Sequence, residues 1–423
     1  MYGAILAVGD ELVQGRVLNT TSFWAARELF ALGYEIREMA TVPDQLSLIK
    51  AYLSRFLEKY SFVLLSGGLG PTTDDLTNEA VAETLGVSLN TDEQLLQRIR
   101  KRERELGLKP NPLREKMAQL PEGARLLTNE KAMAGYYLLR GEKIIFCLPG
   151  VPKEFEYLLK NKVIPLLQKH LPCEYAIRYT VLKLFGIREA DVNLRLKELE
   201  KEPGLNIGYY PVLPEIHLAI SARASTSEEV EERYQKALNK IEEAFGEYIF
   251  GRNEETLEAV VGRLLDERGE TLAVAESCTG GLIASRLTRV PGSSAYFERG
   301  VVTYSNQAKM DLLGVPGEYL EKYGAVSQPT ALAMAEGVRR LAKTDYGLSV
   351  TGIAGPTGGT PEKPVGTVWI GFSCSKGTYA QCFLFPGDRH LIQNFAASTA
   401  LDWLRRYLCY GSLLPRYQFI REC

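Results

Sequence analysis

Four times along this chain a short, largely apolar run stops on a turn of glycine, hydroxyl or acidic residues, at Ala4 to Val8, Phe62 to Ser66, Thr271 to Ala275 and Gly300 to Val302, and a further strand-like segment at Ser349 to Thr351 runs into a glycine-rich turn. Runs this short that do not alternate with polar residues need cover on both faces, which is the situation of strands inside a parallel sheet flanked by helices. In the first half the alternation is explicit: strand Ala4 to Val8, helix near Thr20 to Leu32, strand Ile36 to Val42, helix near Gln45 to Glu58, strand Phe62 to Ser66. The pattern predicts doubly wound α/β architecture. In such sheets ligands bind outside the carboxyl ends of the strands, so the turns are where function is to be sought.

The most informative turn is Ala275-Glu276-Ser277-Cys278-Thr279-Gly280-Gly281, which follows the Thr271 strand and precedes a helix-like stretch. Its glycines let backbone N–H groups approach a ligand, and the following helix N-terminus favours negative charge. A hydroxyl nucleophile and oxyanion donors would thus share one turn. The alternative is that Ser277 or Thr279 caps the helix. A second turn, Thr303-Tyr304-Ser305-Asn306-Gln307-Ala308-Lys309, brings a tyrosine and a lysine close together. Lysine serves as a base for serine once burial or a neighbouring cation disfavours its ammonium form. A third, Ser349-Val350-Thr351-Gly352-Ile353-Ala354-Gly355-Pro356-Thr357-Gly358-Gly359-Thr360, is again strand then glycine-rich turn.

Two other nucleophilic arrangements stay open on sequence. Only His170, His217 and His390 exist, so a Ser-His-Asp triad would depend on His390, which follows Asp388-Arg389. Cys278 competes with Ser277 as nucleophile, although a lone cysteine beside it is more often a small buried hydrophobe.

In the first half the stronger signal is Ser66-Gly67-Gly68-Leu69-Gly70-Pro71-Thr72-Thr73-Asp74-Asp75, with Gly9-Asp10-Glu11-Leu12 beside it. Glycines permit close backbone approach to phosphates, threonines add donors, and aspartates supply oxygen ligands for a divalent cation. The plainer reading makes Asp75 an N-cap for a helix starting near Leu76. The basic run Arg98, Arg100, Lys101, Arg102 and Arg104 is interrupted by Glu103 and Glu105 and reads as a solvated helix face.

At 423 residues the chain predicts two to three domains. A net charge of −2 and an isoelectric point near 6.1 give no general pull toward nucleic acid or anionic membrane, which points to small-molecule or protein partners. Seven cysteines without C-x-x-C spacing argue for reduced thiols and against a zinc site or disulfide framework. No apolar run approaches the roughly 18 residues of a membrane span, and the expectation is a cytoplasmic protein.

The three turns around Ser277, Lys309 and Thr351 occur in order and resemble the nicotinamide mononucleotide deamidase domain of the CinA family. The resemblance implies Ser277 as nucleophile, Lys309 as base, Tyr304 as a hydrogen-bonding helper, and Thr351 and Arg389 as substrate-positioning residues. It extends the substrate-binding set to Thr279, Gly280, Gly281, Gly352 and Gly355, with no cofactor. The implied reaction converts nicotinamide mononucleotide to nicotinic acid mononucleotide and ammonia.

On G-D-E-L, V-P-D and S-G-G-x-G-P-T-x-D-D the first half resembles the molybdopterin-binding fold of MoaB/MogA type found at the N-terminus of CinA proteins. That implies an ADP-ribose pyrophosphatase: Asp44 and Asp75 at the acidic active-site positions, and Gly67, Gly68, Gly70, Thr72 and Thr73 holding phosphate. It further implies Asp10, Asp74 and Asp75 as ligands of a divalent Mg, Mn or Co ion, with K+ as a second cofactor candidate. Where the family has G-T-A-P-G, this chain has Lys131-Ala132-Met133-Ala134-Gly135, which alters a loop near that ligand. Pro172 to Gly251 resembles the KH-like connector of the family, read as β-α-α-β with Asn206 to Pro211 as an aromatic loop, and it lacks a basic G-x-x-G clamp. The implied domains are 1–171, 172–252 and 253–412, with a peripheral tail at 413–423; a homodimer is also implied. The competing classes are a non-catalytic ligand-binding or adaptor protein of DNA uptake or damage response, and a molybdenum-cofactor binder.

Overall fold

The computed structural model describes residues 1–127, 135–173 and 175–418. Lys131 to Ala134 and the end of the tail therefore lie outside the described residues. The chain divides into two compact units, Met1–Ile177 with Arg223–Val230, and Arg178–Ala222 with Glu231–Cys423.

The first unit is built on a six-stranded sheet ordered Glu35–Val42, Tyr2–Val8, Phe62–Ser66, Lys143–Leu148, Tyr136–Arg140, Arg125–Leu126. The first four strands are parallel and the last two add on antiparallel. Residues 4 to 7 and 62 to 65 are fully buried, as runs covered on both faces must be. The helices Thr20–Phe30 and Leu46–Lys59 fall where the periodicity puts them. Because the first strand sits between the second and third, the strand order reverses at the ends of Tyr2–Val8 and Phe62–Ser66, and a crevice opens there. The helix Glu93–Glu105 buries Leu95, Leu96 and Ile99 and leaves Arg98, Arg100, Lys101, Arg102 and Arg104 exposed.

In the second unit a four-stranded sheet is ordered Leu205–Val212, Glu215–Ala224, Ala176–Leu184, Ile249–Arg252. The expected aromatic loop at Asn206 to Pro211 is instead an edge strand, paired antiparallel from Leu205 opposite Ala222 to Val212 opposite Glu215. Gly208 and Pro211 read as breakers in sequence. An edge position tolerates both, because one side of the strand needs no ladder.

The five-stranded sheet of the same unit is ordered Phe297–Val302, Leu272–Glu276, Tyr346–Gly352, Thr367–Cys374, Gly377–Leu384, the first three parallel and the rest antiparallel. Alternate residues feed opposite cores. Leu272 and Val274 join the cluster containing Val261, Ala397 and Leu401, while Ala273 and Ala275 join Leu313, Met334 and Val338. Within the helix Arg389–Tyr410 the Asp402 carboxylate accepts 2.7 Å bonds from Nε of both Arg405 and Arg406. Arg405 donates onward to the Glu247 carbonyl at 2.7 Å, and Arg406 to the Glu247 carboxylate at 3.0 Å. The segment after Tyr410, expected to be peripheral, buries Tyr417 against Phe185, Phe383 and Arg406. Cys147, Cys173, Cys278, Cys374 and Cys409 are free thiols, whereas Cys382 is disulfide-bonded, a departure from the expected reduced state.

Candidate active site

The Ser277 turn is shaped by the residue before it. Glu276, at the end of its strand and buried, turns its carboxylate back to accept from the N–H groups of Gly281 and Ile283 at 3.1 Å and Ala284 at 2.9 Å. The start of helix Leu282–Thr288 is thus capped by Glu276, not by Ser277 or Thr279. Gly280 and Gly281, at φ 62° and 97°, make the reversal that lets Glu276 reach, a backbone region costly for other residues. Ser277 is freed from capping, and its N–H donates to Val350 O at 2.9 Å.

Lys309 arrives from the neighbouring strand's exit. Thr303 N–H donates to Glu276 O at 2.8 Å, and Ser305 caps helix Asn306–Leu313 by accepting from Ala308 N–H at 3.0 Å. One turn in, Lys309 points inward at 1 % exposure. Its Nζ lies 3.1 Å from Ser277 Oγ, 2.7 Å from Thr303 O and 3.5 Å from Tyr304 O. Burial pushes its pKa below the usual lysine value, partly offset by Cys278. As an ammonium Lys309 donates to all three oxygens; once neutral, it keeps two N–H groups for the carbonyls and a lone pair that can accept from the Ser277 hydroxyl.

Ser277, Cys278, Tyr304, Lys309, Thr351, Gly352, Ala354 and Arg389 line a cavity of about 180 Å³ with Ala325 and Val326. Arg389 spans its mouth, donating to Gly355 O at 2.9 Å and to the Tyr304 hydroxyl at 3.3 Å. Tyr304 is 65 % exposed at this mouth. Thr351 Oγ1 donates to Ala325 O at 2.8 Å, so its hydroxyl acts on the wall and retains lone pairs for a ligand. Thr279 is buried, its Oγ1 without a partner among the described residues. The alternatives fare differently. His390 is exposed and does not line the cavity. Cys278 lines it, yet burial raises its thiol pKa to about 12, which suppresses the thiolate that nucleophilic attack requires.

Sequence reasoning passed over Glu276, although an acidic residue just ahead of a helix is a capping signal. It also passed over Gln393, whose Nε2 donates to Cys278 O at 2.7 Å, and over Ala325 and Val326. Nothing in the local sequence flags those three.

In the first unit a larger cavity, about 870 Å³, opens at the strand-order reversal. Glu11, Asp44, Gly67, Gly68, Gly70, Thr72, Asp74 and Asp75 line it; Asp10 and Thr73 do not. Gly67, at φ 100°, has no room for a side chain, since a Cβ would lie 2.2 Å from Val8 O. Asp10 and Asp44 are tied to each other, each carboxylate accepting the other's N–H, at 2.8 and 3.1 Å. Burial and the nearby carboxylates of Asp10, Glu11 and Asp74 raise the Asp44 pKa, against the Asp10 N–H bond. Asp75 does not cap the helix Thr77–Leu85; its carboxylate accepts from the N–H of Thr72 at 2.8 Å and from the Thr72 hydroxyl. Lys116 braces the turn, donating to Asp75 O at 2.7 Å. Asp10, Asp74 and Asp75 are not gathered: among the described residues no group of three or more His, Cys, Asp or Glu side chains is placed to hold a metal ion. The expected divalent-ion ligand set is not formed by these side chains. No helix among the described residues is long and apolar enough to cross a membrane.

Comparison with known proteins accounts for nearly the whole chain. Residues 4–169 match the probable molybdopterin binding domain, 179–251 the damage-inducible protein CinA KH domain, and 254–408 the CinA C-terminal domain. A CinA-like protein of Desulfotalea psychrophila is 44% identical over 405 residues, covering 96% of this chain and 98% of its own. A CinA-like protein of Syntrophus aciditrophicus is 43% identical over 412 residues, covering 96% and 98%. Among solved structures, a CinA superfamily protein from Klebsiella pneumoniae is 36% identical, covering 36% of this chain and 96% of its own at a TM-score of 0.36. With three domain matches in sequence order and relatives alike over almost their full length, this chain belongs to the CinA family.

Proposed function

We propose that the Ser277 cavity hydrolyses a carboxamide, that of nicotinamide mononucleotide, through a serine ester. The observation that carries the reading is the 3.1 Å approach of a buried, pKa-depressed Lys309 to Ser277 Oγ. In the first step Ser277 Oγ attacks the amide carbon while its proton passes to the Lys309 lone pair. The tetrahedral oxyanion forms at the Ser277 turn, where the Gly281, Ile283 and Ala284 N–H groups are already held by the Glu276 carboxylate and are not its donors. Lys309 then returns the proton to the leaving nitrogen, the C–N bond breaks and ammonia departs. Water, deprotonated by Lys309, attacks the ester carbon; Ser277 leaves with the proton, and nicotinic acid mononucleotide is released. Arg389 at the mouth is a cation suited to the nucleotide phosphate. Chromatography of products from nicotinamide mononucleotide with the purified chain tests the reading: no nicotinic acid mononucleotide or ammonia would favour a ligand-binding or adaptor role instead.

For the first unit we propose a nucleotide site that takes ADP-ribose, with Gly67, Gly68, Gly70 and Thr72 toward the diphosphate. Its support is the 870 Å³ cavity at the strand-order reversal. Among the described residues no three His, Cys, Asp or Glu side chains converge there to hold a metal ion, so the reading for this cavity is binding. Calorimetric titration with ADP-ribose, with and without a divalent ion, tests it; molybdopterin binding in its place would assign the cavity to the competing class.

A further inference from the structure

The segment Tyr323 to Val326 links helix Gly317–Tyr323 to helix Gln328–Ala342 and supplies Ala325 and Val326 to the wall of the Ser277 cavity. A connection of this kind has no ladder to satisfy its carbonyls, so other partners must hold it. Here four consecutive carbonyl oxygens are each taken by a side chain. The Lys363 ammonium donates to Tyr323 O and to Val326 O, both at 2.8 Å. Ser327 and Thr330 hydroxyls donate to Gly324 O at 2.8 and 3.0 Å, and Thr351 to Ala325 O at 2.8 Å. The hydroxyls come from the helix that follows and from the strand beneath. Lys363 is the charged donor, and it reaches in from the glycine-rich loop between strands Tyr346–Gly352 and Thr367–Cys374. Its own backbone is fixed by a reciprocal pair: Thr360 N–H donates to Lys363 O at 2.9 Å, and Lys363 N–H to Thr360 Oγ1 at 3.0 Å. Hydrogen bonds from a charged donor are roughly twice as strong as neutral ones, so the two from Lys363 dominate the clamp.

We propose that Lys363 is a positioning residue of the Ser277 site: by bridging the Tyr323 and Val326 carbonyls it fixes the Ala325–Val326 wall against which the amide-bearing ring packs. This rests on the deamidase reading for the identity of the ligand, while the clamp itself stands on the hydrogen bonds above. Lys363 does not line the cavity and touches no reacting atom. It therefore acts on how well the ring is held and leaves the proton transfers of Lys309 alone. A rigid wall favours substrate and transition state alike, and its loss appears in KM.

The test compares the full-length chain with Lys363→Met, Lys363→Arg and Lys363→Gln, by amide hydrogen exchange over residues 323–327 and by steady-state kinetics with nicotinamide mononucleotide across pH. Lys363→Met should speed exchange in that segment and raise KM about tenfold, with kcat within about twofold and its pH midpoint unmoved. Lys363→Arg, which can also donate to two acceptors, should recover most of the KM. Unchanged exchange and KM in folded Lys363→Met overturn the proposal, as does a fall in kcat with a shifted pH midpoint. Should Lys363→Met fail to fold, the same readouts on Lys363→Gln decide. If the wild type shows no deamidation, faster exchange at 323–327 upholds the clamp and sinks only the deamidase reading; unchanged exchange sinks both.

Discussion

Lys309 Nζ meets Ser277 Oγ at 3.1 Å although 32 residues separate them, because their strands are parallel neighbours with Glu276 opposite Val302. Ser277 directly follows the end of its strand, and Lys309 comes from the first turn of helix Asn306–Leu313, which begins four residues past Val302. Ser277→Ala and Lys309→Ala should each lower kcat by several orders of magnitude, and the double variant should be little worse than either, as expected of groups that act as a unit. Lys309→Arg should not rescue, since a guanidinium stays charged and accepts no proton. Full activity in Ser277→Ala would remove the serine from the chemistry.

The depressed pKa of Lys309 gives two pH dependences of known sign. Turnover should rise with pH through that pKa, at a midpoint below the usual lysine range, because only the neutral amine accepts the Ser277 proton. Stability moves the same way. The unfolded chain holds the proton to higher pH, so below the folded pKa Lys309 carries its full burial penalty, which is relieved as pH climbs toward the unfolded value. The stability advantage of Lys309→Met over wild type should therefore shrink across that window. Thermal melts at a series of pH values measure it, and a constant difference would contradict the depressed pKa.

Glu276→Ala strips the acceptor from three helix-start N–H groups. The loss should cost about 2–3 kcal/mol, as buried donors left unpaired do. With the turn no longer pinned, kcat should fall further than Km rises. Urea denaturation and kinetics on the same preparation separate the two effects, and an unaltered Cm would mean water replaces the cap.

Asp402 holds two buried arginines, and Glu247 takes both of them from the other side. Asp402→Ala leaves Arg405 and Arg406 without their carboxylate and should cost about 3–5 kcal/mol. By the same physics a fragment beginning at Asn253 loses Glu247 and should melt lower than one beginning at Arg178. Equal melting of the two fragments would show that the boundary at Arg252 is clean.

Asp75 closes the Thr72 turn at the first unit's cavity. Asp75→Ala should weaken ADP-ribose binding about tenfold by loosening that loop, as loss of a charge-assisted bond or two does. Deamidation in the same preparation should be unaffected. Calorimetry that finds equal affinity would take the Thr72 turn out of the site.

Much of this molecule is legible locally. Short, largely apolar runs that lead into glycine turns announce parallel strands with functional ends, and in the first half the helix periods between them fall within a few residues of the observed bounds. Ser277 and Lys309 stand out as members of ordered strand-end motifs that resemble the CinA deamidase domain, whereas their burial and mutual approach are visible only in the fold. What sequence could not decide is which way a side chain faces once its neighbours are packed. Glu276 draws no reading of its own in sequence and is the cap; Asp75 reads as a cap or metal ligand and closes the Thr72 turn; Lys363 is not singled out in sequence and holds a cavity wall. Each of these outcomes depends on which carbonyls and N–H groups are left unpaired by the tertiary fold, and that is settled between segments distant in the chain.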